Sequence, residues 1–337
     1  MATSAKKKLL GFSGLVLLFA VSWVLGYLVS HHRGLTEVET EWRAYKPPQI
    51  TNLGATNTLA ILPLVNWHTA QDQLQGEMGV SYLIRTDAET VLFDVGQNTR
   101  GTDPSPLQHN MAALDISVNE IDSIFISHNH FDHVGGKNWS RENTFSLGVT
   151  QIPLPGKRIY TPIAMSYPNQ QPKITNEPQV LAQGIATTGT IPRQLFMGRI
   201  DEQALVINVA DKGLVLIVGC GHQRLQKLIS RTQSVFSQPI YGIIGDLHYP
   251  VPEGRLTLLG MNAQLRFASG DWPWHPLTEK DVTDNIELLR SLNLGVVGLG
   301  SHDSSDAVIT RFSETFGDRY EKVLVGSWIN IAPGKSE

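Results

Sequence analysis

The chain has 337 residues, 41% of them hydrophobic, a single cysteine and a formal net charge of −4. A chain of this length holds enough apolar material for a sizeable core, which excludes general disorder. The balance of charge leaves no basic excess to neutralise a phosphate backbone, so nucleic acid is not expected as a partner. One cysteine excludes an internal disulfide framework and a cysteine-rich zinc module. Any metal would have to be held by carboxylates and by the 11 histidines.

Leu9 to Val29 carries no charge. About 21 residues at ~1.5 Å each reach across a ~30 Å hydrocarbon layer. Lys6, Lys7 and Lys8 precede this run and only Arg33 follows closely, which places the N-terminus in the cytoplasm. Residues 1–8 are therefore expected as a cytoplasmic N-terminus and 9–30 as a transmembrane signal anchor. The stretch 31–50 is polar and ends in Pro47 and Pro48, which suits an extended linker. Residues 51–337 form the catalytic domain, extracytoplasmic in this reading and periplasmic if the source is bacterial. A cleaved signal peptide is the competing reading, but no small-x-small pattern follows the run.

Beyond Thr51 short apolar runs alternate with turns. Leu59 to Leu64, Val80 to Arg85 and Val91 to Val95 read as strands, the last two joined by a polar turn over Thr86 to Glu89. Ile124 to Ser127, Ala204 to Val209, Leu214 to Val218, Ile240 to Ile244 and Gly295 to Leu299 are further buried-strand candidates. Leu225, Leu228 and Ile229 share a helical face, as do Val282, Ile286 and Leu289, and Val308 to Phe316 reads as a short helix. This mixture predicts a layered α/β domain. Gln151 to Gln183 is rich in proline and reads mainly as loop, a candidate cover over a site.

The chemistry concentrates at His128, His130, Asp132 and His133, directly after the strand ending at Ser127. That rim is where α/β sheets put their sites. So many ligand-type groups in six residues would be costly to bury unpaired, and two divalent ions would satisfy all of them. His128 and His130 converge on one ion, and Asp132 and His133 reach a second about 3.5 Å away.

The H-x-H-x-D-H cluster resembles the metal loop of the metallo-β-lactamase superfamily, over about Leu59 to Ile331. The resemblance implies a four-layer αβ/βα sandwich. It also implies that Asp94, in Phe93-Asp94-Val95-Gly96, supports the metal loop from behind. His222 is the choice for the third ligand of the first ion, and His302 for completing the second site. The chain departs from the superfamily pattern where a bridging Asp is expected. Cys220 stands near that position, and Asp246 is the other candidate to replace it. His248 stays open between a metal ligand, the acid that protonates a leaving group, a grip on a substrate phosphate and a structural residue.

Thr188 to Arg193, then Asp201-Glu202-Gln203-Ala204-Leu205, then Gly219-Cys220-Gly221-His222, then Gly245-Asp246-Leu247-His248 resemble in order the branch named for 7,8-dihydropterin-6-methyl-4-(β-D-ribofuranosyl)-aminobenzene-5'-phosphate synthase. Trp67, His68, Trp272, Trp274 and His275 are candidates to shape a pocket, and Arg193 and Arg199 to pair with an anionic substrate.

The expectation is a membrane-anchored metallo-hydrolase acting on a small-molecule ester, phosphoester or lactone. Its ions would be two Zn2+, with Mn or Fe as alternatives. Asp132 would orient the nucleophile and His248 would serve beside it. The alternatives are a synthase of the branch just named, a di-iron redox member of the fold, and a non-catalytic binding module.

Overall fold

The computed structural model describes residues 2–332, with side chains for residues 17–331. Among the described residues seventeen strands form two main sheets and two small hairpins. The first sheet takes β1 (Leu59–Val65), β2 (Ser81–Thr86), β3 (Thr90–Phe93), β4 (Ser123–Phe125), β5 (Arg158–Thr161) and β6 (Lys173–Ile174) in that order. The second takes β7 (Pro178–Ala182), β8 (Ile185–Thr188), β11 (Leu205–Val209), β12 (Gly213–Val218), β13 (Ile240–Gly245) and β16 (Val296–Leu299). Between them in sequence, β9 (Ile191–Leu195) and β10 (Gly198–Glu202) make one hairpin, and β14 (Thr257–Leu258) and β15 (Met261–Asn262) the other. The last strand, β17 (Ile329–Ala332), returns to pair antiparallel with β1.

The layering follows from the period-2 pattern of each strand. On β1 to β4, Leu59, Ile61, Tyr82, Ile84, Phe93 and Phe125 enter one apolar cluster, where they meet Leu205, Ile207, Val215 and Ile217 of β11 and β12. That cluster is the seam between the two sheets. The alternate residues Leu62, Leu83, Leu92 and Ile124 turn the other way, toward Leu107 and Met111 of the helix α2 (Pro106–Ala113). Leu214, Leu216 and Val218 turn away from the seam toward three helices, α4 (Leu225–Val235), α5 (Glu279–Ser291) and α6 (Asp306–Phe316). Helix, sheet, sheet, helix is the resulting stack. The sequence reading of a four-layer sandwich holds.

Gln151 to Gln183 is mainly loop, as read, but it also holds the short β5, β6 and β7 and so supplies an edge to each main sheet. Its prolines fall at strand starts and in the connections, where a missing N–H costs no ladder bond. One reading needs correction, at the N-terminus. A single helix, α1 (Ala2–Ala44), runs through both the expected anchor and most of the expected linker. Among the described residues no helix is long and apolar enough to cross a membrane. The described apolar run gives way at His31 to His32, Arg33, Glu37 and Glu39, while residues 9–16 of the expected anchor lie outside the described side chains.

The stretch 31–44 is helical because Glu39 and Arg43 pair one turn apart at 3.0 Å and because it has a surface to pack on. Glu39 also pairs with Lys227 at 2.8 Å and Glu41 with Arg199 at 2.8 Å. Trp42 lies under Lys227 and Arg231. Gly34 lets the helix approach β9 closely, since a Cβ there would lie 2.3 Å from Gln194 Oε1. Pro47 and Pro48 follow the end of the helix.

Candidate metal centre

Strands β3 and β4 run parallel, as do β12, β13 and β16, and the residues of interest follow their C-terminal ends. Asp94 stands just past β3 in the left-handed region, with φ 53°. Its Oδ1 accepts the Ser127 N–H at 2.7 Å, and its Oδ2 accepts the Ser127 hydroxyl at 2.6 Å. The same Oδ2 lies 2.6 Å from His133 Nδ1. A carboxylate only accepts, so Nδ1 carries the proton and the lone pair is left on Nε2. Gly219 makes this approach possible: a Cβ there would lie 2.4 Å from Ser127 Oγ.

The structure brings the predicted ligands into adjoining groups. His128, His130 and His222 form one, with His130 Nδ1 3.1 Å from His222 Nε2. Asp132, His133, Cys220 and His302 form another. Cys220 Sγ lies 2.9 Å from His133 Nε2 and 3.3 Å from His302 Nε2, and Asp132 Oδ2 lies 3.6 Å from His302 Nε2. Cys220, His222, His248 and Asp303 form an overlapping third set.

His128 Nε2, Asp132 Oδ1, His222 Nδ1 and His248 Nε2 are buried and have no hydrogen-bond partner. Each orphaned group costs about 1–3 kcal/mol. An imidazole, carboxylate and thiol donor set of this kind suits a borderline cation such as zinc.

The electrostatics of the His128, His130 and His222 group agree with that fit. Burial, reinforced by neighbouring imidazoles, pushes His128 and His222 well below the ordinary histidine value. Burial likewise brings His130 down to about 4. These rings are neutral and offer lone pairs. Burial opposes ionisation of Asp132, but His133 and His302 outweigh it and hold the carboxyl below its usual value. Burial also opposes the His302 cation, yet Asp303 and Asp246 outweigh it and hold His302 well above its usual value. Burial, with Asp303 and Asp132 alongside, pushes the Cys220 thiol well up.

Asp246 does not replace a bridging carboxylate. Its Oδ2 lies 2.8 Å from His302 Nδ1, on the far edge of that ring from Cys220, and its Oδ1 accepts the Ser304 hydroxyl at 3.1 Å. Of the two candidates Cys220 is the one whose atom joins the ligand groups. Gly300 leaves room for Asp246, since a Cβ there would lie 2.1 Å from its Oδ2.

Two residues had no role assigned from sequence. Glu202, buried at the end of β10, accepts the N–H groups of Cys220 at 3.0 Å, Gly221 at 2.9 Å and His222 at 2.7 Å. Burial raises its carboxyl to about 7 against the pull of those bonds. Its signal was an acidic residue next to a run of buried positions, Gln203 to Val209. Asp303 follows His302, and its Oδ2 lies 2.9 Å from His248 Nδ1. Burial opposes its ionisation, but His302 and His248 outweigh this and hold it well below the usual range. His248 itself sits in the left-handed region, with φ 55°, just past β13. Its Nδ1 faces a carboxylate, and Nε2 is the orphaned atom.

The remaining candidates separate. Arg199 pairs with Glu41 and Asp201, away from the ligand groups. Arg193 donates from Nη1 to the His222 carbonyl at 3.1 Å. His68 binds Asp306 at 2.8 Å, and Trp67 lies under Arg255. Trp272 stacks on Trp274 and, with His275, lines a cavity beside α1.

This stack of layers, with a histidine-rich centre at the strand ends, is the metallo-β-lactamase fold. A family model described as "Metallo-beta-lactamase superfamily" matches residues 74–145, which include the whole H-x-H-x-D-H loop. The chain is similar to 7,8-dihydropterin-6-methyl-4-(beta-D-ribofuranosyl)-aminobenzene-5'-phosphate synthase of Methanocaldococcus jannaschii, at 26% identity over 244 residues, covering 59% of this chain and 80% of that protein. Among solved structures, a metal-dependent hydrolase of the beta-lactamase superfamily aligns with TM-score 0.54 at 16% identity, covering 81% of this chain and 99% of that one. That likeness concerns the fold.

Proposed function

We propose that this protein is a metal-dependent hydrolase that cleaves an ester, phosphoester or lactone bond of a small molecule. The observation that carries the reading is the set of orphaned atoms on His128, Asp132, His222 and His248, all buried at one centre. His128, His130 and His222 would hold one ion, and Asp132, His133, Cys220 and His302 a second, with zinc the best match to the donors. Bound there, the ions supply polarisation of the scissile oxygen and a nucleophilic water at neutral pH. Asp94 and Asp246 fix the tautomers of His133 and His302, so each ring faces the centre with Nε2. Asp132 Oδ1 is free to accept a proton from the attacking water and so to aim it. His248, oriented through Nδ1 by Asp303, donates from Nε2 to the leaving group.

The test is elemental analysis and turnover of the purified chain against phosphomonoesters, phosphodiesters, carboxylic esters, thioesters and lactones. The double variant His130→Ala/Asp132→Ala is expected to lose both metal and turnover. Turnover that survives in the metal-free double variant would sink the reading. A second reading is a synthase activity like that in the name of the Methanocaldococcus relative, supported by the 26% identity over 244 residues. Joining of a ribofuranosyl-aminobenzene phosphate to a 7,8-dihydropterin that carries a leaving group on its 6-methyl carbon, with that group released and no hydrolysis across the panel, would favour it.

A further inference from the structure

A cavity of about 360 Å3 opens directly on His222 and His248. A second, of about 590 Å3, lies between α1 and β9. The two share Arg193, Arg224, Asp271 and His275 as walls, so together they lead from the candidate metal centre to the N-terminal helix. Thr36 and Glu39 of α1 line the outer part.

Two features of the shared wall point to an absent acceptor. Arg193 is 8% exposed, and its Nε–H is buried with no partner, although its Nη atoms are engaged by the carbonyls of His222 and Ser269. Helix α4 begins on this wall, and no side chain caps its first turn. Uncapped N–H groups at a helix start favour an anion. Arg224, immediately before α4, is held in the left-handed region at φ 67°. Backbone strain of this kind persists where the surroundings hold it in place.

The carboxylates nearby do not meet this demand. Asp271 is shared between Arg193 and Arg224, so one negative charge faces two guanidiniums. Asp281 is used as part of the cap of α5, accepting from Thr278. Glu39 pairs with Lys227 and Arg43. Burial, with Arg224 nearby, lowers Arg193 to about 9, consistent with a guanidinium short of negative charge.

We propose that this cavity binds an anionic group of the substrate, a carboxylate or phosphate distinct from the bond being cleaved, held by Arg193 Nε, Arg224 and the start of α4, with α1 as the outer wall. The proposal rests on the metal-centre reading, because it places the scissile bond at His222 and His248. It identifies the substrate class as an anionic small molecule. The N-terminal helix then takes part in selecting the substrate's distal end.

The test measures binding by titration calorimetry on the full-length protein loaded with zinc. Dicarboxylates of four to eight carbons are compared with monocarboxylates of the same length. The best dicarboxylate is expected to bind at least tenfold more tightly than its monocarboxylate partner, and Arg224→Gln to reduce that ratio to near one. Arg224 is half exposed, so this variant leaves the core intact. Thr36→Trp, which narrows the outer cavity, is expected to weaken the eight-carbon probe more than the four-carbon probe. A ratio near one in the wild type, no dicarboxylate binding, or a ratio unchanged in Arg224→Gln would overturn the subsite. An unchanged length preference in Thr36→Trp would overturn the part given to α1. No turnover is read, so failure of the hydrolase reading shows separately, in the substrate panel.

Discussion

Glu202 Oε2 accepts the backbone N–H of His222 at 2.7 Å, while Oε1 takes the N–H groups of Cys220 and Gly221. One buried carboxylate thus fixes the turn that carries a candidate ligand of each metal group. Glu202→Gln keeps the shape but puts an NH2 group where one oxygen accepted, so at least one of the three N–H groups loses its partner. Metal affinity is expected to fall about 10–100-fold, the size seen when groups behind a ligand are lost. Competition with a chromophoric chelator measures it, and wild-type affinity in the variant would show that the turn holds without its anion.

His248 and Asp303 make a separable prediction. Removing the proton donor with His248→Ala should slow esters with alkoxide leaving groups by about 10²–10⁴-fold. Esters of 4-nitrophenol, whose leaving group needs no proton, should be nearly unaffected. Asp303→Asn should show the same selectivity in milder form, because the ring loses the carboxylate that orients it. Equal slowing of both substrate types would assign the pair to structure or to metal binding.

Cys220 is buried between His133 and His302, and burial, with Asp303 and Asp132 alongside, pushes its thiol well up. A cation at that position would favour the thiolate. Cys220→Ser preserves the volume and removes the soft donor, so one equivalent of zinc should bind at least about tenfold more weakly. Cobalt substitution gives a second readout: the sulfur-to-metal charge-transfer band expected of the wild type should be missing from the variant.

A surface group supplies the pH prediction. The Asp306 carboxyl is held at about 2, chiefly by its bond from Arg255 and also by His68. Because the folded value lies below the unfolded one, its stabilisation is present above about pH 4 and is lost as pH falls toward 2. Asp306 is largely exposed, so screening limits the contribution to about 1 kcal/mol or less. Asp306→Asn should lower unfolding free energy by that amount at pH 6, and the difference should close by pH 2. A difference that persists at pH 2 would place its cause in the α6 start, not in the charge.

The fold was legible because each strand announces its own faces. Leu214, Leu216 and Val218 alternate with Val215 and Ile217, and both sets are apolar, which marks a strand buried on two sides. β5, β6 and β7 were not legible because they are short and proline-flanked, and because β5 also pairs with β4, more than thirty residues earlier in the chain. Helix α1 beyond His31 reads as polar linker by composition. Its helical form depends on Lys227, Arg231 and Gln194, which no local pattern reveals.

The sequence by itself determined a layered α/β domain, with four layers implied by the metallo-β-lactamase resemblance, and the local part of the centre, His128, His130, Asp132 and His133, because ligands within six residues share one loop wherever it is placed. It also identified Asp94, His222, His248 and His302 as side chains following strand ends. Only the tertiary structure set Cys220 among the candidate ligand atoms and Asp246 behind His302, joined Asp303 to His248, placed Glu202 behind the Cys220–His222 turn and set α1 against the cavity. Those relations join residues from 18 to 188 positions apart, as in Glu202 with Cys220 and Glu39 of α1 with Lys227. The pairing of strands brings such residues together, and periodicity along one segment carries no record of that pairing.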